Sequence, residues 1–215
     1  MEHNHGGRTS AEVWDEMYRS RPKAWSGRPN PQLVAEAADL PAGTALDLGC
    51  GEGADAVWLA ERGWSVTAVD VSAVALHRAA AHAAEAGGDE LADRIKFVRG
   101  DLATWAPHRG FDLVSAQYLH STVLPWQEAL GSAADAVVPG GTLLIVGHHP
   151  DALPPGGNHV TEDMFYRPDD LVRELGIEGP DWEVQVLERR DRTVTGPEGG
   201  EVTIGDSVLK ARRRA

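Results

Sequence analysis

The sequence contains a single cysteine, Cys50, among its 215 residues. One thiol cannot form an intramolecular disulfide, and it cannot build a zinc or iron–sulfur site from cysteines. Basic residues are also scarce, since 20 Lys and Arg stand against 33 Asp and Glu, for a formal net charge of -13. Nucleic-acid affinity depends on clustered cationic side chains, so this balance argues against a nucleic-acid partner.

Long apolar runs are absent as well. No stretch approaches the 18 apolar residues of a membrane span, and the first ten residues lack the apolar centre of a signal peptide. We therefore expect a cytoplasmic protein with no membrane partner. A length of 215 residues suits one domain, so we predict a single domain over residues 1–215, of unknown oligomeric state.

From residue 44 onward, short apolar runs alternate with helical patterns. The apolar runs predict strands at 44–48, 65–70, 95–98, 111–115 and 142–147. After a broken helical stretch at 11–38, helical spacing predicts helices at 54–62, from Ser72 to Gly87-Gly88, at 127–138 and at 169–175. A Pro/Gly/His-rich loop is expected at 148–163, and an antiparallel hairpin at 182–194 and 201–213. Such alternation requires a mostly parallel sheet covered on both faces, with ligands beyond the carboxyl ends of its strands.

A glycine-rich loop, ALDLGCGEG at residues 45–53, follows the first predicted strand. Its alternating glycines allow a sharp turn and a close approach to a ligand, and Asp70 at the end of the next strand is placed to accept from ribose hydroxyls. The spacing also fits a dinucleotide pattern, which leaves a nicotinamide-dependent oxidoreductase open. Asp47 before the glycines, Glu52 among them and the additional Gly53 favour a different nucleoside.

Three segments together, LDLGCGEG, VTAVDVS and VRGDLATW, resemble motifs I, II and III of class I S-adenosylmethionine-dependent methyltransferases. The resemblance extends over about residues 30–213. It implies an α/β fold with a Rossmann-like, seven-stranded, mostly parallel sheet that ends in an antiparallel hairpin. It also implies S-adenosylmethionine as the cofactor.

The resemblance assigns cofactor-binding roles by motif. Asp47 would reach the ammonium group, the glycines would approach the methionyl part and the ribose, Asp70 would bind the ribose hydroxyls, and Asp101 would accept from the adenine amine. Cys50 lies in the same loop and is expected to be an inert packing residue. The full set of cofactor-binding candidates is Asp47, Gly49, Cys50, Gly51, Gly53, Asp70, Val71, Asp101, Leu102 and Gln117.

The N-terminal segment, which we define as residues 11–40, contains WDEMYRSRPKAWSGRPNP. It resembles small bacterial methyltransferases related to the tellurite-resistance and thiopurine group, in which an N-terminal helix closes over the cofactor and the acceptor. The resemblance makes Trp14, Tyr18 and Trp25 lid residues that exclude water from a cationic sulfonium. Trp14 and Tyr18 equally suit a purely structural role. Arg28 is expected either to hold an anionic group or to remain solvated.

Histidines follow the fourth and fifth predicted strands. His120 stands in AQYLH, and His148 and His149 stand in IVGHHP. Because the ends of adjacent strands converge, His120, His148 and Tyr118 are candidate catalytic residues, and His149 is a candidate substrate contact. Alternatively, the paired histidines only fix the loop that follows them. Spacing supports a metal site here only weakly, so none is predicted.

The function predicted from these features is methyl transfer to an oxygen, sulfur or other chalcogen atom of a small molecule. Arsenite is an unlikely acceptor in this reading because its methyltransferases use several cysteines. Two alternatives remain open at this point: a non-catalytic module that binds S-adenosylmethionine, and the nicotinamide-dependent oxidoreductase. A protein or RNA methyltransferase lacks support, since SAQY follows the fourth strand where an acceptor motif would stand.

Overall fold

The computed structural model describes residues 8–108, 110–153, 164–196 and 199–215. The strands are β1 (Thr44–Leu48), β2 (Ser65–Asp70), β3 (Ile95–Arg99), β4 (Phe111–Gln117), β5 (Val137–His148), β6 (Trp182–Thr195) and β7 (Glu201–Arg213). The helices are α1 (Ser10–Arg19), α2 (Pro31–Ala37), α3 (Ala54–Glu61), α4 (Ala73–Ala92), α5 (Trp126–Leu130) and α6 (Pro168–Glu174). No helix in these ranges is long and apolar enough to cross a membrane.

The described strands form one sheet in the order β3-β2-β1-β4-β5-β7-β6. The first five are parallel, whereas β7 runs antiparallel to β5 and β6 runs antiparallel to β7. The predicted fold class, a mostly parallel seven-stranded sheet with a C-terminal antiparallel hairpin, is therefore confirmed. Successive strands are added on one side of β1 up to β3 and on its other side from β4, and such sheets bind ligands at the point where the strand order reverses, between β1 and β4.

Hydrophobic side chains cover the sheet on both faces. Along β1, Leu46 and Leu48 belong to one core with Phe111, whereas Ala45 belongs to a second core with Trp58. This division follows from the period of two along a strand, which sends successive side chains to opposite faces. A strand buried on both faces reads as a continuous apolar run, which is why β1 was recognisable in the sequence.

The N-termini of two helices carry the side-chain caps that the sequence favours. The Thr9 hydroxyl accepts from the backbone N–H of Glu12, whose carboxylate in turn accepts from the Thr9 N–H, so α1 begins with a capping box. The Ser72 hydroxyl accepts from the Ala75 N–H at 3.1 Å, as predicted for α4. Helical geometry breaks at Gly87 and Gly88, where the sequence predicts the end of this helix, and a further short turn leads to Ala92.

The prediction of a helix over 127–138 is wrong. Helix α5 ends at Leu130, and the following residues form turns with mixed hydrogen bonds, such as Ala136 N–H to Ser132 O and Val137 N–H to Ala134 O. From Val137 the chain is extended and pairs with Phe111 in β4. Branched valines favour a strand, and this tertiary pairing overrides the helical spacing of the alanines before them. Of the loop predicted at 148–163, residues 154–163 lie outside the described residues.

Candidate functional site

A cavity of about 850 Å³ lies beyond the carboxyl ends of the central parallel strands. One part of its wall is the glycine loop after β1, with Asp70 and Asp101 beside it. Another part is the N-terminal segment together with the residues that follow β4 and β5. A single cavity therefore brings together most of the site residues predicted from the sequence.

The glycine loop has a backbone that only glycine adopts easily. Gly49, Gly51 and Gly53 have φ angles of +70°, +54° and +81°. A Cβ atom on Gly49 would lie 2.5 Å from Cδ1 of Leu119, and one on Gly51 would lie 2.9 Å from the hydroxyl of Tyr18. The absence of side chains keeps the backbone accessible from the cavity, and this cradle fits a nucleoside cofactor.

Asp70 links the end of β2 to the glycine loop. Its Oδ2 accepts from the Gly51 N–H at 2.9 Å, and its Oδ1 accepts from the Ser72 N–H at 2.8 Å. Burial raises the pKa of Asp70, although these N–H groups oppose the effect. Each carboxylate oxygen keeps a second lone pair, so Asp70 retains the capacity to accept from ribose hydroxyls.

The other predicted cofactor residues, Asp47 excepted, also line the cavity. They are Val71, Asp101, Leu102, Cys50 and Gln117. Burial and the negative charge of Asp70 raise the pKa of the Cys50 thiol well above its usual range, which fits an inert residue. The Gln117 side-chain amide donates to the Ser115 hydroxyl at 2.9 Å, while its carbonyl oxygen has no partner among the described residues.

Asp47 is not among the residues that line the cavity. Its side chain is 2 % exposed, and its Oδ2 has no hydrogen-bond partner within the described part of the chain. Burial raises the pKa of Asp47 well above its usual range, and the negative charges of Asp55 and Asp70 raise it further. The cavity wall instead includes Asp55, at the start of α3, which sequence reasoning did not single out.

The predicted lid residues reach the cavity from the N-terminal segment. Trp14, Tyr18, Trp25 and Arg28 all line it. The Trp25 indole N–H donates to the Tyr18 hydroxyl at 3.1 Å, and Tyr18 is 3 % exposed while Trp25 is 52 % exposed. Tyr18 thus anchors the segment to the core, whereas Trp25 presents a large apolar surface at the mouth of the cavity.

Glu52 and Arg78 join this segment to the glycine loop. The Glu52 carboxylate accepts from the backbone N–H groups of Ala24 and Trp25 at 3.1 Å, and from the Arg78 guanidinium at 2.8 Å. Arg78 also donates to the backbone carbonyl of Tyr18 at 2.8 Å. Burial raises the pKa of Glu52, but these hydrogen bonds outweigh it and leave that pKa lowered. We refer to Glu52 and Arg78 as the clamp.

His120 connects the loops that follow β4 and β5. Its Nε2 accepts from the His148 backbone N–H at 3.0 Å, and its Nδ1 lies 3.1 Å from the Met164 carbonyl, to which it donates in this tautomer. Burial, reinforced by His148, lowers the pKa of His120 to about 3. Both ring nitrogens are therefore engaged with the backbone, and the geometry gives His120 a positioning role instead of the proton-accepting role expected from its place in the sequence.

Tyr118 stands at the turn after β4 with a φ of +51°, an uncommon angle for a residue with a side chain. Its hydroxyl accepts from the Arg192 guanidinium at 2.9 Å, and its ring centroid lies 4.6 Å from that of His148. Burial raises the Tyr118 pKa far above its usual range, and the charge of Asp206 adds to this. The hydroxyl consequently stays protonated, which excludes it as a base at neutral pH.

His148 and His149 differ in environment although they are adjacent. His148 lines the cavity with a 21 % exposed side chain. His149 is buried outside the cavity lining, where its Nδ1 accepts from the Asp151 N–H at 3.2 Å. The structure therefore does not bring His149 to the site, and burial lowers its pKa.

Besides Asp55, sequence reasoning missed four charged residues in or next to the cavity wall: Glu52 as an anchor, Arg78, Arg192 and Asp206. Arg192 and Asp206 lie in the hairpin, where alternating polar residues indicate a solvated face and no motif marks a contact. No group of three or more His, Cys, Asp and Glu side chains that could hold a metal ion occurs among the residues described.

Residues 45–141 match the Methyltransferase domain family. The chain is 34% identical over 118 residues to trans-aconitate 2-methyltransferase of Sinorhizobium fredii, covering 55% of this chain and 43% of that protein. It is 29% identical over 148 residues to 2-heptyl-1-hydroxyquinolin-4(1H)-one methyltransferase of Mycobacteroides abscessus, covering 65% of this chain and 62% of that protein. The chain spans about half the length of the curated relatives it matches.

Solved structures share the fold at low sequence identity. A SAM-dependent methyltransferase from Anabaena variabilis superposes with a TM-score of 0.68 at 16% identity, covering 96% of each chain. The glycopeptide N-methyltransferase MtfA, solved in complex with S-adenosyl-L-methionine, superposes with a TM-score of 0.60 at 18% identity and covers 87% of this chain and 88% of its own. These likenesses and the family match confirm the resemblance drawn from the three motifs. Residues 45–141 thus resemble a methyltransferase domain, and the whole chain shares its fold with solved S-adenosylmethionine-dependent methyltransferases.

Proposed function

We propose that this chain binds S-adenosylmethionine and transfers its methyl group to an oxygen, sulfur or other chalcogen atom of a small molecule. The observation that carries the proposal is the shared cavity of about 850 Å³, in which the glycine loop and Asp70 face the same space as Trp14, Trp25 and His148. A cofactor site and an acceptor site in one enclosure are what a direct transfer between two bound molecules requires. The cofactor supplies an electrophilic methyl group on a positively charged sulfur.

The cofactor half of the cavity is formed by the ends of β1 and β2. In this proposal Asp70 accepts from the ribose hydroxyls and Asp101 accepts from the adenine amine. The positive φ angles of the glycines let the loop backbone approach the methionyl part without a steric clash. The buried carboxylates of Asp47, Asp55 and Asp70 place negative charge close to the loop, which complements a cation.

The acceptor half is formed by apolar and aromatic side chains. Trp14, Trp25, Leu124, Met164 and Phe165 line it. We propose that residues 11–40 are a lid that the clamp holds against the glycine loop. Aromatic surface on both sides excludes water from the reacting atoms and leaves room for a small, largely apolar acceptor. The relatives named above act on small molecules, which supports this class of acceptor.

The test begins with cofactor binding. In the proposed site Asp70→Ala removes a charged hydrogen-bond acceptor. We therefore expect the variant to bind S-adenosylhomocysteine more weakly than wild type, by roughly 1–3 kcal/mol of binding free energy measured by calorimetry. Asp135→Asn is the matched control, because Asp135 is exposed and is not part of the cavity wall. An unchanged affinity in Asp70→Ala would contradict the placement of the cofactor.

Turnover is measured next, as S-adenosylhomocysteine released with a panel of phenols, thiols and chalcogen oxyanions. Release above the rate without acceptor supports a methyltransferase. Cofactor binding without release on any member of the panel would instead favour a non-catalytic binding module. Binding of NAD in preference to S-adenosylhomocysteine would favour the oxidoreductase.

A further inference from the structure

We propose that Asp206 orients His148 as the proton acceptor for the methyl acceptor, so that the site is built for hydroxyl or thiol groups that must lose a proton. This inference rests on the proposed function and narrows its substrate class. Neither the family match nor the three motifs includes Asp206, which lies in β7 outside residues 45–141.

The first observation is that two buried polar atoms lie close to each other and neither makes a hydrogen bond within the ranges that the structure describes. His148 Nδ1 and Asp206 Oδ1 are both buried and lack hydrogen-bond partners among the described residues, and they lie 3.8 Å apart. A buried polar atom without a partner costs free energy, so each atom is the natural partner of the other. Hydrogen bonds in catalytic sites are often long without ligands and shorten when the ligands bind.

The second observation is how the other oxygen of Asp206 is used. Asp206 is 0 % exposed, and its Oδ2 accepts from Arg192 Nε at 2.8 Å and from the Gln32 amide at 3.2 Å. Both donors lie on Oδ2, which fixes the carboxylate and leaves Oδ1 open toward His148, while the Tyr118 side chain also interacts with Asp206. In the β5–β7 ladder Asp206 is the direct partner of His148, so the two side chains are neighbours on one face.

The third observation concerns the ring of His148. Its backbone N–H donates to His120 Nε2, and its ring stacks on that of His120 with centroids 5.5 Å apart and an angle of 18°. The Tyr118 ring covers it from another side, with centroids 4.6 Å apart. With Nδ1 directed to Asp206 and the ring held in place, Nε2 is the nitrogen left to meet a ligand in the cavity that His148 lines.

The charges around the ring suit this role. The groups that face His148 are Asp206 on β7 and the neutral Tyr118 and His120 after β4. Arg192 on β6 donates to both Asp206 and Tyr118 and so adds a positive charge behind them. Burial by itself raises the pKa of Asp206, but the neighbouring side chains of His148, Arg192 and Tyr118 outweigh this and leave that pKa lowered. Asp206 is therefore an anion, which can stabilise the positive charge that His148 acquires on accepting a proton.

The chemical step balances without another reactant. As the acceptor oxygen or sulfur forms its bond to the methyl carbon, its proton passes to His148 Nε2. The bond between that carbon and the sulfonium sulfur breaks, and its electron pair stays on the sulfur of S-adenosylhomocysteine. His148 then carries one positive charge beside Asp206 and later returns the proton to water.

This arrangement discriminates between classes of acceptor. A carboxylate, such as that of an aconitate, is already an anion at neutral pH and needs no base. A phenol, a hydroxylated heterocycle or a thiol keeps its proton until a base removes it, and a positioned base contributes roughly 10²- to 10⁴-fold to the rate. The structure thus points to weakly acidic hydroxyl or thiol acceptors.

The test compares two acceptors of similar shape with wild type and with His148→Gln. 4-Nitrophenol is largely ionised at pH 8, whereas 4-methylphenol is protonated there. We expect His148→Gln to lower kcat for 4-methylphenol by roughly 10²-fold or more and for 4-nitrophenol by less than about 5-fold. Unchanged affinity for S-adenosylhomocysteine shows that the variant is folded. Equal losses on both acceptors, or no loss on either, would overturn the role of His148.

A second measurement tests Asp206 without relying on turnover. Long-range ¹H–¹⁵N NMR of the imidazoles reports which nitrogen carries the proton, and His148→Gln identifies the His148 signals. We expect His148 to be protonated at Nδ1 in wild type, and Asp206→Asn to shift this tautomer. Protonation at Nε2 in wild type, or an unchanged pattern in a folded Asp206→Asn, would overturn the inference. If S-adenosylhomocysteine binding is absent in wild type, it is the proposed function that fails.

Discussion

At the scale of single residues, the site depends on backbone positions that tolerate no side chain. Gly51 has both a positive φ and the Tyr18 hydroxyl 2.9 Å from its missing Cβ, so a substitution there meets strain and a steric clash together. Gly140 has a φ of +82° but no atom within 4 Å of its missing Cβ. Substitutions at Gly51 and Gly140 therefore separate the effect of backbone strain from the effect of a steric clash with the N-terminal segment.

We predict that Gly51→Ala weakens S-adenosylhomocysteine binding by at least 10-fold, because the new methyl group displaces Tyr18 and intrudes on the cradle. Gly140→Ala is the control and should cost only about 1 kcal/mol of unfolding free energy from backbone strain, with unchanged affinity. Calorimetry and thermal unfolding measure the two quantities. Equal affinities in the two variants would mean that the cofactor does not approach the loop at Gly51.

Polar residues at the cavity divide into those with a sequence signal and those without. Asp70 ends β2 and Asp101 follows β3, both at motif positions, so their place at the strand ends could be predicted. Asp206 and Arg192 are brought to the site by the pairing of β6 with β7 and of β7 with β5. That contact spans large separations along the chain, and no local pattern encodes which polar residue of a hairpin faces inward.

At the scale of elements, strands were more predictable than helices near the site. Strand β2 lies where its apolar run predicted, because a strand buried on both faces has an unambiguous composition. Helix α5 is shorter than predicted, because the pairing of Val137 with Phe111 overrides the helical preference of the alanines after Leu130. Local pattern therefore identified the sheet, and tertiary pairing set the path of the chain between β4 and β5, next to the proposed acceptor half.

The clamp makes the N-terminal segment an element whose opening can be measured. The Glu52 carboxylate accepts hydrogen bonds from two backbone N–H groups of the segment, those of Ala24 and Trp25. The exposed Lys23 directly precedes Ala24, so trypsin can cleave the chain between these two residues. We predict that Glu52→Gln accelerates native-state cleavage after Lys23 by roughly 5- to 100-fold, since a charged hydrogen-bond network of this kind contributes about 1–3 kcal/mol. Mass spectrometry of the fragments follows the reaction.

Glu90→Gln serves as the control for the clamp, because Glu90 forms only a long, exposed ion pair of 4.0 Å with Arg94. Its cleavage rate should match that of wild type. Saturating S-adenosylhomocysteine should slow cleavage in wild type if the segment closes over the cofactor. Cleavage after Lys23 at the wild-type rate in Glu52→Gln would show that the clamp does not hold the segment.

At the scale of the whole molecule, the fold concentrates negative charge where a cation is proposed to bind. Asp47, Asp55 and Asp70 all have raised pKa values, chiefly because they are buried. A carboxyl whose pKa is higher in the folded state binds more protons when folded, so it lowers the free energy of unfolding as pH rises from the unfolded-state pKa to the folded-state pKa. The free protein thus carries a cost in stability, and a cation bound as proposed would offset it.

This linkage gives a prediction for Asp47→Asn. An asparagine keeps the shape of Asp47 but does not ionise, so the variant should be more stable than wild type, and the difference in Tm should grow between pH 5 and pH 8. For a chain of this length each kcal/mol corresponds to about 2–4 °C. Comparing the two proteins at each pH cancels the titration of their shared histidines. A constant or inverted difference for Asp47→Asn would contradict a raised Asp47 pKa.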